Sequence, residues 1–423
     1  MVLTQLQQIL DGILIICTDN DLEELAPETV AALAKIESMI LTFQSSKDNM
    51  ELVSDINKDE QKERVYYIID SITSNNDLAL SIRQITTLYL EMGKLCYLVG
   101  DYDKASQMLR QSLQMAEDNH FTDIMANVFK QFGDITFIKN CYDRAEQFYH
   151  KSLEYFKLED DLHGQAHVYN DLGTIAFQMG HWGKVEEIFK QCIEIAETNK
   201  DIRLLAKVHN NLGAAHNIQG RFDESFTHFQ TALSIFNELN DDIGIAEVYN
   251  NLGLYYARQE CWQKAGECYE ASIQHSQKVN DTYQIAVTYI QRAELCIHIS
   301  NWKAAHAYCD QALSCFINIG NKEGLAEGYK LKGIIHNELH HFNIAETYLT
   351  KALAICKEIG NKLNEAETII ELAKLARRQE KEDKAKKEFD RAIAAFQEIG
   401  AVSEAEKAEQ LKMLREKELL FNF

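Results

Sequence analysis

Residues 201–240 read DIRLLAKVHNNLGAAHNIQGRFDESFTHFQTALSIFNELN, and their spacing decides the fold. Leu205, Val208, Leu212, Ala215 and Ile218 fall three or four residues apart, the stripe of an amphipathic helix. Phe222, Phe226, Phe229 and Leu233 form a second such stripe. Gly220 lies between them, where a helix ends in a left-handed residue. The stretch therefore predicts helix, tight turn, helix. Gly213 stands inside the first helix, where glycine costs roughly 1 kcal/mol against alanine. Close approach of the two helices is expected there, and the small residues Ser225 and Ala232 serve the same packing.

The pattern recurs every 40 residues, without insertion, from residue 81 to residue 400. An aromatic column runs Tyr102, Tyr142, Trp182, Phe222, Trp262, Trp302, Phe342 and holds all three tryptophans of the chain. A small-residue column runs Ala105, Ala145, Val185, Ser225, Ala265, Ala305, Ala345, Ala385. A mostly bulky column runs Leu109, Tyr149, Phe189, Phe229, Tyr269, Cys309, Leu349, Phe389. Gly93, Gly133, Gly173, Gly213, Gly253, Ala293, Gly333 and Ala373 make a fourth. Eight units result, the last with Glu382 in place of the aromatic. A unit of this size cannot bury its apolar face alone, so neighbours must stack and share a core.

These columns resemble the tetratricopeptide repeat. Leu212-Gly213, Ser225, Phe229 and Ala232 match its signature in order and spacing, as do Leu252-Gly253, Ala265 and Tyr269. The period of 40 exceeds the family's usual 34, and the usual proline after the second helix is absent. The longer unit is similar to those of kinesin light chains, LGN-type adaptors and bacterial Rap regulators. The resemblance implies an all-α fold, a right-handed superhelical solenoid of antiparallel helix pairs whose first helices line a concave groove. It also implies a protein or peptide as the partner.

Composition agrees. The 423 residues include one proline, Pro27, which argues against a loop-rich or all-β fold. A net charge of −22 excludes a nucleic-acid partner and an anionic membrane surface, and would steer in a basic or amphipathic one. The charge leans to the N-terminus: residues 1–80 carry 15 acidic and 5 basic side chains, whereas residues 361–400 carry 9 of each. The ten cysteines form no C-x-x-C pair and read as buried thiols of a reducing, cytoplasmic setting. The apolar run from Gly12 to Cys17 is too short to cross a membrane, so no membrane insertion is expected.

Three segments are expected. Residues 1–80 form an acidic helical cap or effector module, with helices over 2–17, 28–44 and around Val65–Ile72 and a mobile loop over 45–60. Residues 81–400 form the eight units, and residues 401–423 a capping helix. Rap regulators place a helical bundle before their repeats, and the arrangement is similar in outline.

The candidate site lies on the first helices. Asn170-Asp171, Asn210-Asn211 and Asn250-Asn251 occupy the same paired column in three consecutive units. Asparagine offers a donor and an acceptor, as a peptide group does, so a ladder of them suits an extended backbone. Lys130, Gln131, His167, Lys207, Asn217, Arg258 and Gln291 are expected to share that face, with Thr174, Gln178 and Glu247. The family's clamp for a C-terminal carboxylate is not matched, because Asp134 and Asp171 stand where asparagines are needed. Later units hold Ile290, Lys330-Leu331 and Ile370 in these columns, which suits apolar anchors. No phosphate loop, dinucleotide fingerprint or H-E-x-x-H occurs, so neither enzyme chemistry nor a cofactor or metal is expected. His340-His341, at a turn, reads as surface. The expected function is that of an adaptor. The alternative is a regulator, in which a peptide in the groove controls a target met by residues 1–80.

Overall fold

The computed structural model describes residues 80–399 and 401–420, with Glu63 and Tyr66. The helices expected over 2–17 and 28–44, the loop over 45–60 and most of the third helix lie outside the described residues. The first helix pair is α1 (Ile82–Leu98) with α2 (Tyr102–Asn119), and the second is α3 (Thr122–Ile138) with α4 (Tyr142–Leu158). Then come α5 (Leu162–Gln178) with α6 (Trp182–Asn199), and α7 (Ile202–Ile218) with α8 (Phe222–Glu238). The next four pairs are α9 (Asp242–Arg258) with α10 (Trp262–Lys278), α11 (Thr282–His298) with α12 (Trp302–Asn318), α13 (Lys322–Glu338) with α14 (Phe342–Ile359), and α15 (Lys362–Arg378) with α16 (Glu382–Glu398). A single helix, α17 (Val402–Leu420), follows. The described residues contain no strand. None of these helices is long and apolar enough to cross a membrane.

Helix boundaries repeat because their chemistry repeats. Asp161, Asp201, Asp241, Asp281, Asn321 and Asn361 each stand just before a first helix and accept the N–H of the third helical residue. At the other ends a left-handed residue recurs every twenty positions, from Gly100 to Glu380, with φ between 51° and 78°. Ten of these are not glycine, His120, Lys200 and Glu380 among them, so few glycines suffice to turn the chain. At Gly220 the N–H groups of Gly220 and Arg221 return to Asn217 O (3.1 Å) and His216 O (2.9 Å), closing the helix end. In the first three pairs the aromatic column packs across the turn: Tyr102 lies 5.9 Å from Tyr97, Tyr142 5.6 Å from Phe137 and Trp182 5.7 Å from Phe177.

The glycine and bulky columns meet within each pair. A Cβ on Gly173 would lie 2.4 Å from the Phe189 ring, and one on Gly253 2.3 Å from the Tyr269 ring. Glycine is thus what lets the aromatic side chain seat flat on the facing helix. In the pair where Ala293 replaces glycine, the facing residue is the small Cys309. Buried hydroxyls fasten the same seam: Ser112 Oγ donates to Thr86 O (2.9 Å) and Ser152 Oγ to Ala126 O (2.7 Å).

Two compact units divide the chain, residues 1–240 and 241–423. Within each, every second helix packs on its own first helix and on the first helix of the next pair. First helices also touch directly, α5 with α7 in the first unit and α11 with α13 and α13 with α15 in the second. Each unit therefore presents a face of first helices. Tyr66 docks on the first pair: its hydroxyl donates to the Asp101 carboxylate, and the Lys104 ammonium lies 3.8 Å over its ring.

Candidate functional site

In the first unit the face of first helices is polar and largely self-satisfied. Lys130 on α3 pairs with Asp171 on α5 (3.0 Å) and with Asp134 one turn further along α3 (3.3 Å), while Tyr149 Oη donates to Asp134 (2.7 Å). Burial alone would depress the lysine, but the two carboxylates outweigh it and hold the ammonium above its ordinary range. Burial raises Asp134 despite the lysine beside it. Across the next seam Asn211 donates to Asn170 Oδ1 (3.1 Å), and Thr174 Oγ1 donates to Asn170 O (2.9 Å).

The expected site residues do not share one depth. Asn210 and Asn250 are buried, 5% and 7% exposed, and Asn250 Oδ1 accepts the Thr288 hydroxyl (3.2 Å). Asn170, Asp171, Asn211, Asn251 and Gln291 are half-buried, and Lys207 and Arg258 are exposed. Gln131 is buried. Asn217 is buried too, with an Oδ1 that has no hydrogen-bond partner among the described residues. His167 is half-buried against Asp201 (3.3 Å). His340 and His341 are exposed. The nine described cysteines are free thiols. Burial pushes Cys96, Cys192 and Cys309 each up to about 12, away from nucleophilic character.

The second unit differs. There the first-helix face opens into two adjoining cavities of about 550 and 310 Å³. Glu294, Leu331, Ile334 and Glu371 line both. Ile297, Asn337, Lys374 and Arg377 extend the first, whereas Ile370, Phe396, Ala408 and Leu411 extend the second beneath α17. Arg377 fixes that end by donating to Leu411 O (2.7 Å) and Lys412 O (3.1 Å). Lys330 at the second cavity is held between Glu327 (2.8 Å) and Glu367 (2.6 Å). Glu294 has no ion-pair partner among the described residues. Burial, with Glu327 adding, pushes its carboxyl up to about 7. It sits on α11 between a floor of leucine and isoleucine and open space, a place suited to a cation carried by something else.

Glu294, Ile334 and Glu371 were missed by sequence reasoning, although their columns were marked. Glu371 and Leu331 repeat the column of Asn211 and Asn251, and Ile370 and Lys330 that of Asn210 and Asn250. The signal was the change of those columns from amide to apolar in later units.

No curated protein matches the chain in sequence. Solved structures do match in fold. A Rap protein complexed with Competence and Sporulation Factor superposes with a TM-score of 0.61 at 11% identity, over 84% of this chain and 97% of that one. Aspartyl phosphate phosphatase F from Bacillus subtilis gives 0.55 at 13% identity, over 82% and 92%. The quorum sensor NprR from B. thuringiensis, in its apo form, gives 0.53 at 16% identity, over 84% and 99%. At such identities these likenesses establish the fold alone. The model of the tetratricopeptide repeat matches residues 124–198, 204–260, 244–318 and 324–398, and a second tetratricopeptide model matches 86–119. With more than half of its length matched, the chain belongs to the tetratricopeptide repeat family.

Proposed function

We propose that this chain is a non-catalytic binding protein that holds a peptide segment of a partner on its first-helix faces. The observation that carries this is the pair of adjoining cavities around Glu294. A peptide whose lysine or arginine meets Glu294 while a neighbouring aliphatic side chain rests on Leu331 and Ile334 satisfies both features. The acidic balance of the whole chain favours the same basic partner. Half-buried Asn251 in the same unit would add a polar partner for a ligand backbone, contributing about 0.5–1.5 kcal/mol net. Two proteins of like fold were solved with Competence and Sporulation Factor and with the cognate peptide NprX, which supports a peptide-sized ligand. A cytoplasmic setting accords with nine free thiols.

Panning a random dodecapeptide display library on the full chain tests this. Selected peptides should carry Lys or Arg beside Leu or Ile, and Glu294→Gln should weaken them at least tenfold while the chain stays folded and fully helical. Selection of peptides without basic residues, or binding indifferent to both Glu294→Gln and Ile334→Asp, would sink the reading.

The docking of Tyr66 on Asp101 and Lys104 favours a second reading, in which the segment before residue 80 reports on ligand. Two coupled sites are then required. A Tyr66→Ala variant with unchanged peptide affinity would count against it.

A further inference from the structure

We propose that His163, His167 and Asp201 in the first unit form a binding site for a divalent transition metal of the zinc class. The two histidines lie one turn apart on α5, on one face, with ring centroids 4.4 Å apart. Asp201 precedes α7 and is fixed at both ends. Its Oδ1 accepts Leu204 N–H (2.9 Å), and its own N–H donates to Asn199 Oδ1 (3.0 Å). That leaves Oδ2 facing α5, 3.3 Å from His163 Nδ1 and 3.3 Å from His167 Nε2. All three ligand atoms lie within 4.8 Å of one another. Two ligands about 2.0–2.1 Å from a tetrahedral zinc ion stand roughly 3.3–3.4 Å apart, so both nitrogen–oxygen separations are those the ion needs. For charge-assisted hydrogen bonds, which run about 2.7–2.9 Å, they are long.

The repeat explains the aspartate but not the histidines. Asp161, Asp241 and Asp281 cap their helices in the same way, so Asp201 would be there in any case. The positions of His163 and His167 carry Arg203 and Lys207 one unit later, then Ile243 and Glu247, and Tyr283 and Val287. At the matching place in the second unit, Asn361 Nδ2 donates to Glu323 Oε1 (2.8 Å), an ordinary hydrogen bond with one donor and one acceptor. In the first unit two imidazoles converge on a single carboxylate oxygen. A neutral imidazole offers its lone pair to a metal. Lys130 and Lys207 also face His167 and would oppose a cation, but Lys130 is already paired with Asp134 and Asp171. Three protein ligands leave a fourth position for water or an anionic group.

Cobalt(II) titration of the chelator-stripped full chain, read by visible absorbance and calorimetry, tests the proposal. One equivalent should bind, with the intense bands of a tetrahedral centre, and zinc should displace it. Asp201→Asn keeps the helix cap, since asparagine caps as well as aspartate, and should weaken binding at least tenfold. His163→Ala should do the same, and with a side chain 68% exposed His163 can be removed without unfolding the array. Substoichiometric binding, or an affinity unchanged in both variants, would overturn the assignment and leave the cluster as an inter-helix polar contact.

Discussion

The two units share one register but fill its columns differently. In the first, the column of Asn210 reads Leu90, Lys130, Asn170, Asn210, and the column one turn on reads Lys94, Asp134, Thr174, Ala214. In the second, the same columns read Asn250, Ile290, Lys330, Ile370 and Leu254, Glu294, Ile334, Lys374, with more apolar members toward the C-terminal end. First-unit polar groups find each other: Lys130 with two aspartates, Asn170 with Asn211. In the second unit the first helices border two cavities, and Glu294 has no ion-pair partner among the described residues, although Lys330 acts on it from nearby. The backbone pattern is shared because packing columns set it. The first-helix columns diverge more, because a buried position there can be filled by an apolar side chain or by a paired polar one. Where lysine and asparagine already pair with neighbours a peptide gains less, whereas an apolar floor beside a half-buried acid suits a basic, aliphatic segment.

The largest effect should come from removing the lysine at the centre of each face. Lys330→Met strands Glu327 and Glu367 around a side chain only 10% exposed and should cost on the order of 3 kcal/mol. Lys130 is 28% exposed, so water can screen Asp134 and Asp171 once it is gone, and Lys130→Met should cost about 1–2 kcal/mol. Stability in a repeat array is local, so hydrogen exchange resolved over α3 and over α13 is the appropriate measurement. Equal losses in the two helices would erase the difference in depth between the faces.

Glu294→Gln should give a smaller change, with a sign set by pH. The folded carboxyl titrates near 7 against an ordinary 4.5, so the native state holds its proton longer than the unfolded chain. That contribution is complete below pH 4.5 and is lost as pH rises to 7. Removing the charge should leave stability unchanged at pH 4.5 and raise it by about 1–2 kcal/mol at pH 7.5. Denaturant midpoints at the two pH values decide this. A variant no more stable at pH 7.5 would mean that Glu294 is well solvated and not waiting for a cation.

Much of this architecture could be read in the residues. Seven aromatics in register and glycines sixteen positions before a bulky residue are packing constraints, and packing repeats in sequence as it does in space. The face that would hold a ligand was also readable, since its columns follow from the helical period. Depth was not. Asn210 and Asn250 look like Asn211 and Asn251 in sequence, yet the first two are buried between helices and the others reach toward the surface. A cavity was not readable either, because it is space left by side chains from three helices in one case and five in the other. The cluster proposed to hold a metal stayed hidden for a related reason: Asp201 follows His167 by 34 residues and meets it only through the stacking of α5 and α7.

The smallest effect tests what the two units have in common. Lys200 in the first and Glu380 in the second end their helices at φ 60° and 61°, exposed, in a conformation that glycine adopts without a steric penalty. A Cβ in the left-handed region costs roughly 1–2 kcal/mol. Glycine gives part of that back through the greater freedom of the unfolded chain. Lys200→Gly and Glu380→Gly should therefore each raise stability by about 0.5 kcal/mol, and by the same amount, since neither side chain touches a ligand column. The reverse change, Gly220→Ala at φ 77°, meets no neighbouring atom within 4 Å and should lose about 1 kcal/mol through the backbone alone. Denaturation midpoints of the three variants compare them directly. A gain confined to one unit would show that the turns, and not only the ligand columns, have diverged between the two halves.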